Sequence, residues 1–152
     1  MKLKILVKVM EKLLGMASDE NEPRADMYLP EKLLAMAIIF LAAGTVGALW
    51  AIFRFAVGAV VCAVLGLGLG VLALLCWKNQ TIHVISEDQF TYTTMFGNTY
   101  TYSFSDIQGL RRNQDSLTLF VADKKVHIES MAIISQRLAD LINKALQEKT
   151  DR

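Results

Sequence analysis

The sequence predicts an α+β membrane protein, in which a two-helix transmembrane hairpin precedes an antiparallel β-sheet capped by a C-terminal α-helix. Three observations carry this prediction. Between Leu33 and Trp77 the chain holds a single charged residue, Arg54. The following segment is rich in Thr, Tyr, Phe, Val and Ile and is interrupted by turn residues, which is typical of short strands. The chain then ends in an amphipathic pattern with helical period.

The apolar segment is too long for one crossing of a bilayer. A helix of its 45 residues would be about 67 Å long, roughly twice the ~30 Å hydrocarbon core. A break at Arg54 leaves two spans, 33–53 and 55–77, each close to the ~20 residues that a crossing needs. Arg54 is then expected at the tip of a tight turn, with Trp50 as an interfacial anchor.

Small residues recur in the hairpin at the four-residue spacing that lets helix backbones approach closely. This spacing favours packing within the hairpin or between hairpins of an oligomer, and both remain open. The pairs are Ala43 and Gly47, Gly44 and Ala48, and Gly66 and Gly70.

Two segments precede the hairpin. In residues 1–16, helical spacing would place apolar residues on one face and lysines on the other. This pattern predicts an amphipathic helix that lies on the membrane or docks on protein. Residues 17–32 are polar and acidic and contain two prolines, so they are predicted to be a linker. The terminal ends of the two spans carry three basic residues, Arg24, Lys32 and Lys78, whereas the turn carries only Arg54. This bias predicts a multi-pass protein of the inner (cytoplasmic) membrane with both termini cytoplasmic.

Residues 78–152 are predicted to form one cytoplasmic β domain. A two-residue loop at Gly97-Asn98 would place the two aromatics of the first strand on the opposite face from the three that follow the loop. A three-residue loop or a bulge would place all five on one face of the sheet, and this arrangement is favoured. Ser130 is the expected N-cap of a closing helix that covers these aromatics. The predicted strands are 81–86, 90–96, 99–104, 107–112, 117–122 and 124–129, and the aromatics are Phe90, Tyr92, Tyr100, Tyr102 and Phe104.

The segments "IHVISEDQFTY" (82–92) and "YSFSDIQGLRR" (102–112), followed by one amphipathic helix, resemble the bacterial pleckstrin-homology-like (PH-like) domains of YcxB-like membrane proteins. In that family two transmembrane helices commonly lie upstream, and the resemblance covers about Leu33 to Lys149. It implies a barrel-like antiparallel β-sheet with one strand more than the six predicted here.

The resemblance also implies a membrane-anchored binding or scaffolding module without enzymatic activity, and some relatives are linked to resistance to membrane-active peptides. Glu87 and Asp88 occupy the first hairpin loop, where phosphoinositide-binding domains carry a basic cluster. Inositol lipid headgroups are therefore not expected as ligands.

Few residues are candidates for catalysis or metal binding. Cys62 and Cys76 lie in the second span without metal-ligand or disulfide spacing. His83 and His127 lack acidic or cysteine neighbours at metal-ligand spacing. No catalytic site, metal site or cofactor is predicted.

Two adjacent basic pairs are the candidates for ligand binding. Arg111 with Arg112, and Lys124 with Lys125, could face anionic headgroups. The alternative interpretation is a solvated strand edge, where a basic side chain discourages edge-to-edge aggregation.

The net charge of +1, without a dense basic cluster, excludes nucleic acid as an expected partner. The expected partners are membrane lipids and a protein partner or a second copy of the chain. The leading expectation is a membrane-anchored PH-like binding module. The alternative is an accessory or pore-forming subunit of a membrane complex, which the scarcity of polar residues in the spans disfavours.

Overall fold

The computed structural model describes residues 25–151, which form three α-helices and eight strands in two units. The first unit, residues 31–78, is a helical hairpin, and the second combines residues 25–30 with residues 79–151. The amphipathic helix predicted for residues 1–16 lies outside the described residues, as does the 17–24 part of the predicted linker.

The hairpin consists of α1 (Glu31–Arg54) and α2 (Val57–Asn79), and both helices are long and apolar enough to span a membrane. The turn between them is Phe55-Ala56, one residue beyond the break predicted at Arg54. Phe55 has a φ of 50°, and its N–H donates to the Ala51 carbonyl at 2.9 Å. This left-handed residue ends α1 as a C-terminal cap does.

Glycines let the two helix backbones touch. A Cβ on Gly66 would lie 2.7 Å from the Gly44 Cα, and a Cβ on Gly70 would lie 2.9 Å from the Leu41 backbone nitrogen. A Cβ on Gly47 would lie 3.0 Å from the Ala63 backbone nitrogen. These small residues are therefore used for packing within the hairpin.

The strands form two antiparallel sheets. The first has the order β4-β3-β2-β1-β8, and the second has the order β5-β6-β7. The strands are β1 (Met27–Tyr28), β2 (Thr81–Val84), β3 (Gln89–Thr93), β4 (Thr99–Ser103), β5 (Ile107–Arg112), β6 (Ser116–Val121), β7 (Lys124–Glu129) and β8 (Ile133–Ile134).

Strand β1 lies inside the segment 17–32 that is predicted to be a linker, so this part of the prediction is wrong. Met27 pairs with Ile82 of β2 and with Ile134 of β8, and its side chain is fully buried in the core. Ala25 and Leu29 are buried as well, in the alternation of a strand. The hairpin is consequently an insertion between two neighbouring strands of one sheet.

Asp26 holds three distant segments together. Its Oδ2 accepts a hydrogen bond from the Val84 N–H at 2.8 Å, and its Oδ1 accepts one from the Ser135 hydroxyl at 2.9 Å. The Ser135 N–H donates to the Asp26 carbonyl at 2.6 Å, and the Ser135 Oγ in turn accepts from the Leu138 N–H at 3.2 Å. We call this arrangement the Asp26 clamp; it joins β1, the end of β2 and the start of the C-terminal helix.

The β3–β4 hairpin has the register that places its aromatics on one face. Phe90 stands opposite Tyr102, and Tyr92 opposite Tyr100. The Thr94 N–H donates to the Asn98 carbonyl at 2.9 Å, which closes a tight loop in which Gly97 has a φ of 84°. The predicted shared face is thus confirmed, although β3 ends at Thr93, before the predicted end at residue 96.

The C-terminal helix α3 (Gln136–Thr150) begins later than predicted, and its N-cap is Ser135 rather than Ser130. Ile133 and Ile134 form β8 instead of a first helical turn, because they pair with β1. Leu138 and Ile142 of α3 join the buried core that contains the β3–β4 aromatics. The helix therefore covers the sheet as expected.

Candidate functional site

The four basic candidates lie on the edge strands β5 and β7 of the second sheet. Arg111 pairs with Thr118, and Lys125 pairs with Phe120. Because Thr118 and Phe120 are two residues apart on β6, Arg111 and Lys125 share one face of the sheet.

Arg112 and Lys124 belong to the opposite face, since they pair with Leu117 and Val121. The Lys124 Nζ lies 4.6 Å from the centroid of the Tyr100 ring, a cation–π distance. Each predicted basic pair is therefore divided between two faces, and the four side chains do not form one patch.

His127 takes part in a polar cluster at the edge strand β7. Its Nδ1 lies 3.2 Å from the hydroxyl of Thr118, which is only 4% exposed. The side-chain amide of Gln80, also buried, donates to the His127 carbonyl at 3.2 Å. His83 lies in the other sheet, on β2. Among residues 25–151, no group of three or more His, Cys, Asp or Glu side chains is arranged to hold a metal ion.

A cavity of about 160 Å³ lies between the β2–β3 loop, a 3-10 turn at Phe104–Asp106 and α3. The loop contributes Glu87 and Asp88, and α3 contributes Lys144, Glu148 and Lys149. The lining thus mixes both signs of charge. This small cavity suits a polar or zwitterionic group rather than a polyanion.

The β3–β4 aromatics differ in exposure. Phe90 and Phe104 are buried with ring centroids 4.8 Å apart, whereas Tyr100 is 40% exposed. Burial raises the pKa of the Tyr102 phenol above its ordinary value, and the neighbouring Tyr100 adds to the shift.

The hairpin exposes a continuous apolar surface. Phe53 and Phe55 at its tip are 80% and 88% exposed, and Val64 in the middle of α2 is 66% exposed. Near the tip, a groove of about 590 Å³ opens between α1 and α2, lined by small residues and Trp50. Exposed apolar surface on this scale needs an apolar environment or a partner.

Sequence reasoning did not identify three residues that the structure makes prominent: Asp26, Asn79 and Phe96. Asp26 and Asn79 act through hydrogen bonds to residues distant in sequence, which a single sequence does not reveal. Phe96 carried a usable signal, because it is an aromatic residue directly before the glycine of a turn.

These features define a class: an α+β protein whose antiparallel β unit is interrupted by an apolar helical hairpin. The chain belongs to a family of unknown function, DUF6560, whose model matches residues 4–146. No curated protein and no solved structure matches the chain.

Proposed function

We propose that this protein is a membrane-anchored, non-enzymatic binding module. In this proposal α1 and α2 cross the inner membrane of a bacterium, and the β unit is a PH-like domain held at the cytoplasmic surface. One observation carries the proposal: β1, before α1, pairs with β2, after α2. Both ends of the hairpin must then emerge on the same side of a bilayer, as two crossings require.

The composition of the helices supports insertion. Between Leu33 and Trp77 the only charged side chain is Arg54, which stands at the tip, where it can reach the opposite surface. Lys32 and Lys78 stand at the other ends of the two helices, and this distribution favours a cytoplasmic β unit.

The architecture of the β unit supports a binding role. The unit combines a five-stranded and a three-stranded antiparallel sheet with a C-terminal helix over the core, and the resemblance to PH-like domains is the further support for a binding role. Ligands of this unit are expected at its rim, from anionic lipid headgroups or a protein partner, because the described cavity is small and of mixed charge.

An accessory subunit of a membrane complex is the second candidate function. The groove between α1 and α2 favours it, since side chains of another transmembrane helix could fill a space of about 590 Å³.

The topology can be tested with paired reporters. Green fluorescent protein fused after Arg152 should be fluorescent, and alkaline phosphatase at the same position should be inactive. A phosphatase fusion after Phe55, which ends the chain at the hairpin tip, should be active. Phosphatase activity at Arg152 would contradict the proposed orientation, and an inactive fusion after Phe55 would contradict the two crossings.

Headgroup binding can be tested on a β unit without its hairpin, made by joining residues 23–29 to residues 80–152 through a Gly-Asn-Gly loop. Arg111→Glu with Lys125→Glu, which alters one face of the second sheet, should weaken binding to vesicles that contain phosphatidylglycerol. The matched control reverses Arg112 and Lys124 on the other face. Equal binding by the parent and both variants would remove these residues as a lipid site.

A further inference from the structure

The β3–β4 loop, residues 94–98, presents an aromatic side chain to solvent. Phe96 is 70% exposed at the tip of the loop. The loop requires Gly97, whose φ of 84° suits glycine, but its geometry does not require an aromatic residue at position 96. A single exposed apolar side chain is ordinary on a protein surface, so its significance depends on its position.

The loop is tied to the residue that ends α2. The side-chain Nδ2 of Asn79 donates to the Met95 carbonyl at 2.8 Å. A Cβ on Gly97 would lie 3.8 Å from the same Nδ2. Asn79 follows Lys78, the basic residue in the last turn of α2. The loop therefore lies next to Asn79, the residue at which the chain enters the second unit.

The β3–β4 loop also differs from the other loops in charge. Within residues 25–151, four loops join strands that are neighbours in a sheet, and three of them carry acidic residues: Glu87 and Asp88, Asp115, and Asp123. The β3–β4 loop, Thr94-Met95-Phe96-Gly97-Asn98, carries none. An acidic loop would be repelled by an anionic membrane surface, whereas an uncharged loop with an aromatic tip can enter it.

We propose that the β3–β4 loop is a second membrane contact, in which Phe96 inserts at the boundary between headgroups and acyl chains. The proposal rests on the proposed function, because the end of α2 lies at a bilayer surface only if α2 crosses the bilayer. Together with the two chain connections at Pro30 and Asn79, the inserted loop gives the β unit a third point of attachment.

Spin-label accessibility in the full chain tests the loop contact. In a Cys62→Ala, Cys76→Ala background, single cysteines replace Phe96, Asp123 and Val64, and the labelled proteins are placed in nanodiscs of phosphatidylcholine and phosphatidylglycerol. The ratio of collisions with oxygen to collisions with a water-soluble nickel chelate rises with depth in the bilayer. We expect the ratio to be highest at position 64, intermediate at 96 and lowest at 123.

Two results overturn the proposal in distinguishable ways. Equal ratios at positions 96 and 123, with a high ratio at 64, remove the loop contact and leave the hairpin crossing intact. A ratio typical of water at position 64 removes the crossing and the loop contact together.

A Phe96→Trp variant gives an independent measurement without labels. Lipids brominated near the headgroup should quench more tryptophan fluorescence in this variant than in the parent chain. No added quenching would also overturn the loop contact.

Discussion

Replacing Asp26 with alanine should destabilise the β unit strongly, although this residue lies in a short segment before the hairpin. The substitution removes two side-chain hydrogen bonds, to the Val84 N–H at 2.8 Å and to the Ser135 hydroxyl at 2.9 Å. The backbone bond from Ser135 to the Asp26 carbonyl is retained. The loss is therefore specific to the carboxylate.

The expected magnitude follows from these contacts. A hydrogen bond to a charged group contributes about 1.5–3 kcal/mol, so two such bonds give roughly 3–6 kcal/mol. Asp26 is half-buried, and water can partly replace the lost acceptor for Val84 and Ser135. We therefore expect a loss of about 2–4 kcal/mol in the free energy of unfolding.

The unfolding of the β unit can be followed in the full chain in detergent micelles. All four tyrosines belong to this unit, so the near-ultraviolet circular dichroism of tyrosine reports its tertiary structure during a urea titration. Asp140→Ala is the matched control, because Asp140 is an exposed acid on α3. The control should leave the midpoint unchanged.

A double-mutant cycle separates the Asp26 clamp from a general effect of charge. Ser135→Ala alone should lower the free energy of unfolding by about 1 kcal/mol because the helix loses its N-cap. It should lower it further because the hydrogen bond to Asp26 is lost as well. The double variant should be less destabilised than the sum of the single variants, because both remove the same contact. If Asp26→Ala behaves like Asp140→Ala, the clamp does not stabilise the β unit; an additive cycle would show that the contact between Asp26 and Ser135 contributes nothing.

Three further predictions concern other parts of the molecule. Residues 80–152 alone should fail to fold, whereas the hairpin-free chain that includes residues 23–29 should fold, as judged by amide protection; folding of both would show that β1 is dispensable. Gly66→Ala should lower the sodium dodecyl sulfate fraction at which the hairpin unfolds, because the added Cβ would lie 2.7 Å from the Gly44 Cα. Gly68→Ala is the control and should leave this fraction unchanged, since a Cβ there would have nothing within 4 Å. The folded state holds the Tyr102 proton more tightly than the unfolded chain, so stability should fall as pH rises above about 10, and Tyr102→Phe should reduce this fall.

Local patterns were sufficient to predict most of the β unit. The strands β2 to β7 begin within one residue of their predicted positions, since alternation and turn residues mark each of them. The common face of Phe90 and Tyr102 was predicted by favouring a three-residue or bulged loop over a two-residue loop, because the loop sets the register of a hairpin.

The errors occur where pairing over long sequence distances decides the structure. Residues 25–29 alternate as a strand does, but the pattern is too short to stand out from a polar linker, and only β2 and β8 make it a strand. The same pairing explains the late start of α3: Ile133 and Ile134 pair with β1, and Ser135 caps the helix while it is bonded to Asp26. Local helix propensity is overridden by such contacts.

In the candidate site, too, local patterns predict some features and long-range pairing decides the others. Four basic residues were visible in the sequence, and strand alternation divides each adjacent pair between two faces. Which of the four share a face depends on sheet register and on a bulge between Ile107 and Gly109 in β5. The loop at Phe96 gains its significance only from the bond between Asn79 and Met95, which joins residues 16 positions apart.

If the hairpin crosses a membrane as proposed, its position inside the β unit couples insertion to folding. If α1 crossed the bilayer and α2 did not, β1 and β2 would lie on opposite sides, and neither the Met27–Ile82 pair nor the Asp26 clamp could form. The Asp26 clamp also joins residues 109 positions apart, so it can form only after the start of α3 has been synthesised. Contacts of such separation form late, because the entropy of loop closure opposes them. A chain with the wrong topology therefore lacks the last stabilising contacts of its β unit, and correct insertion of the hairpin becomes a condition for a stable domain.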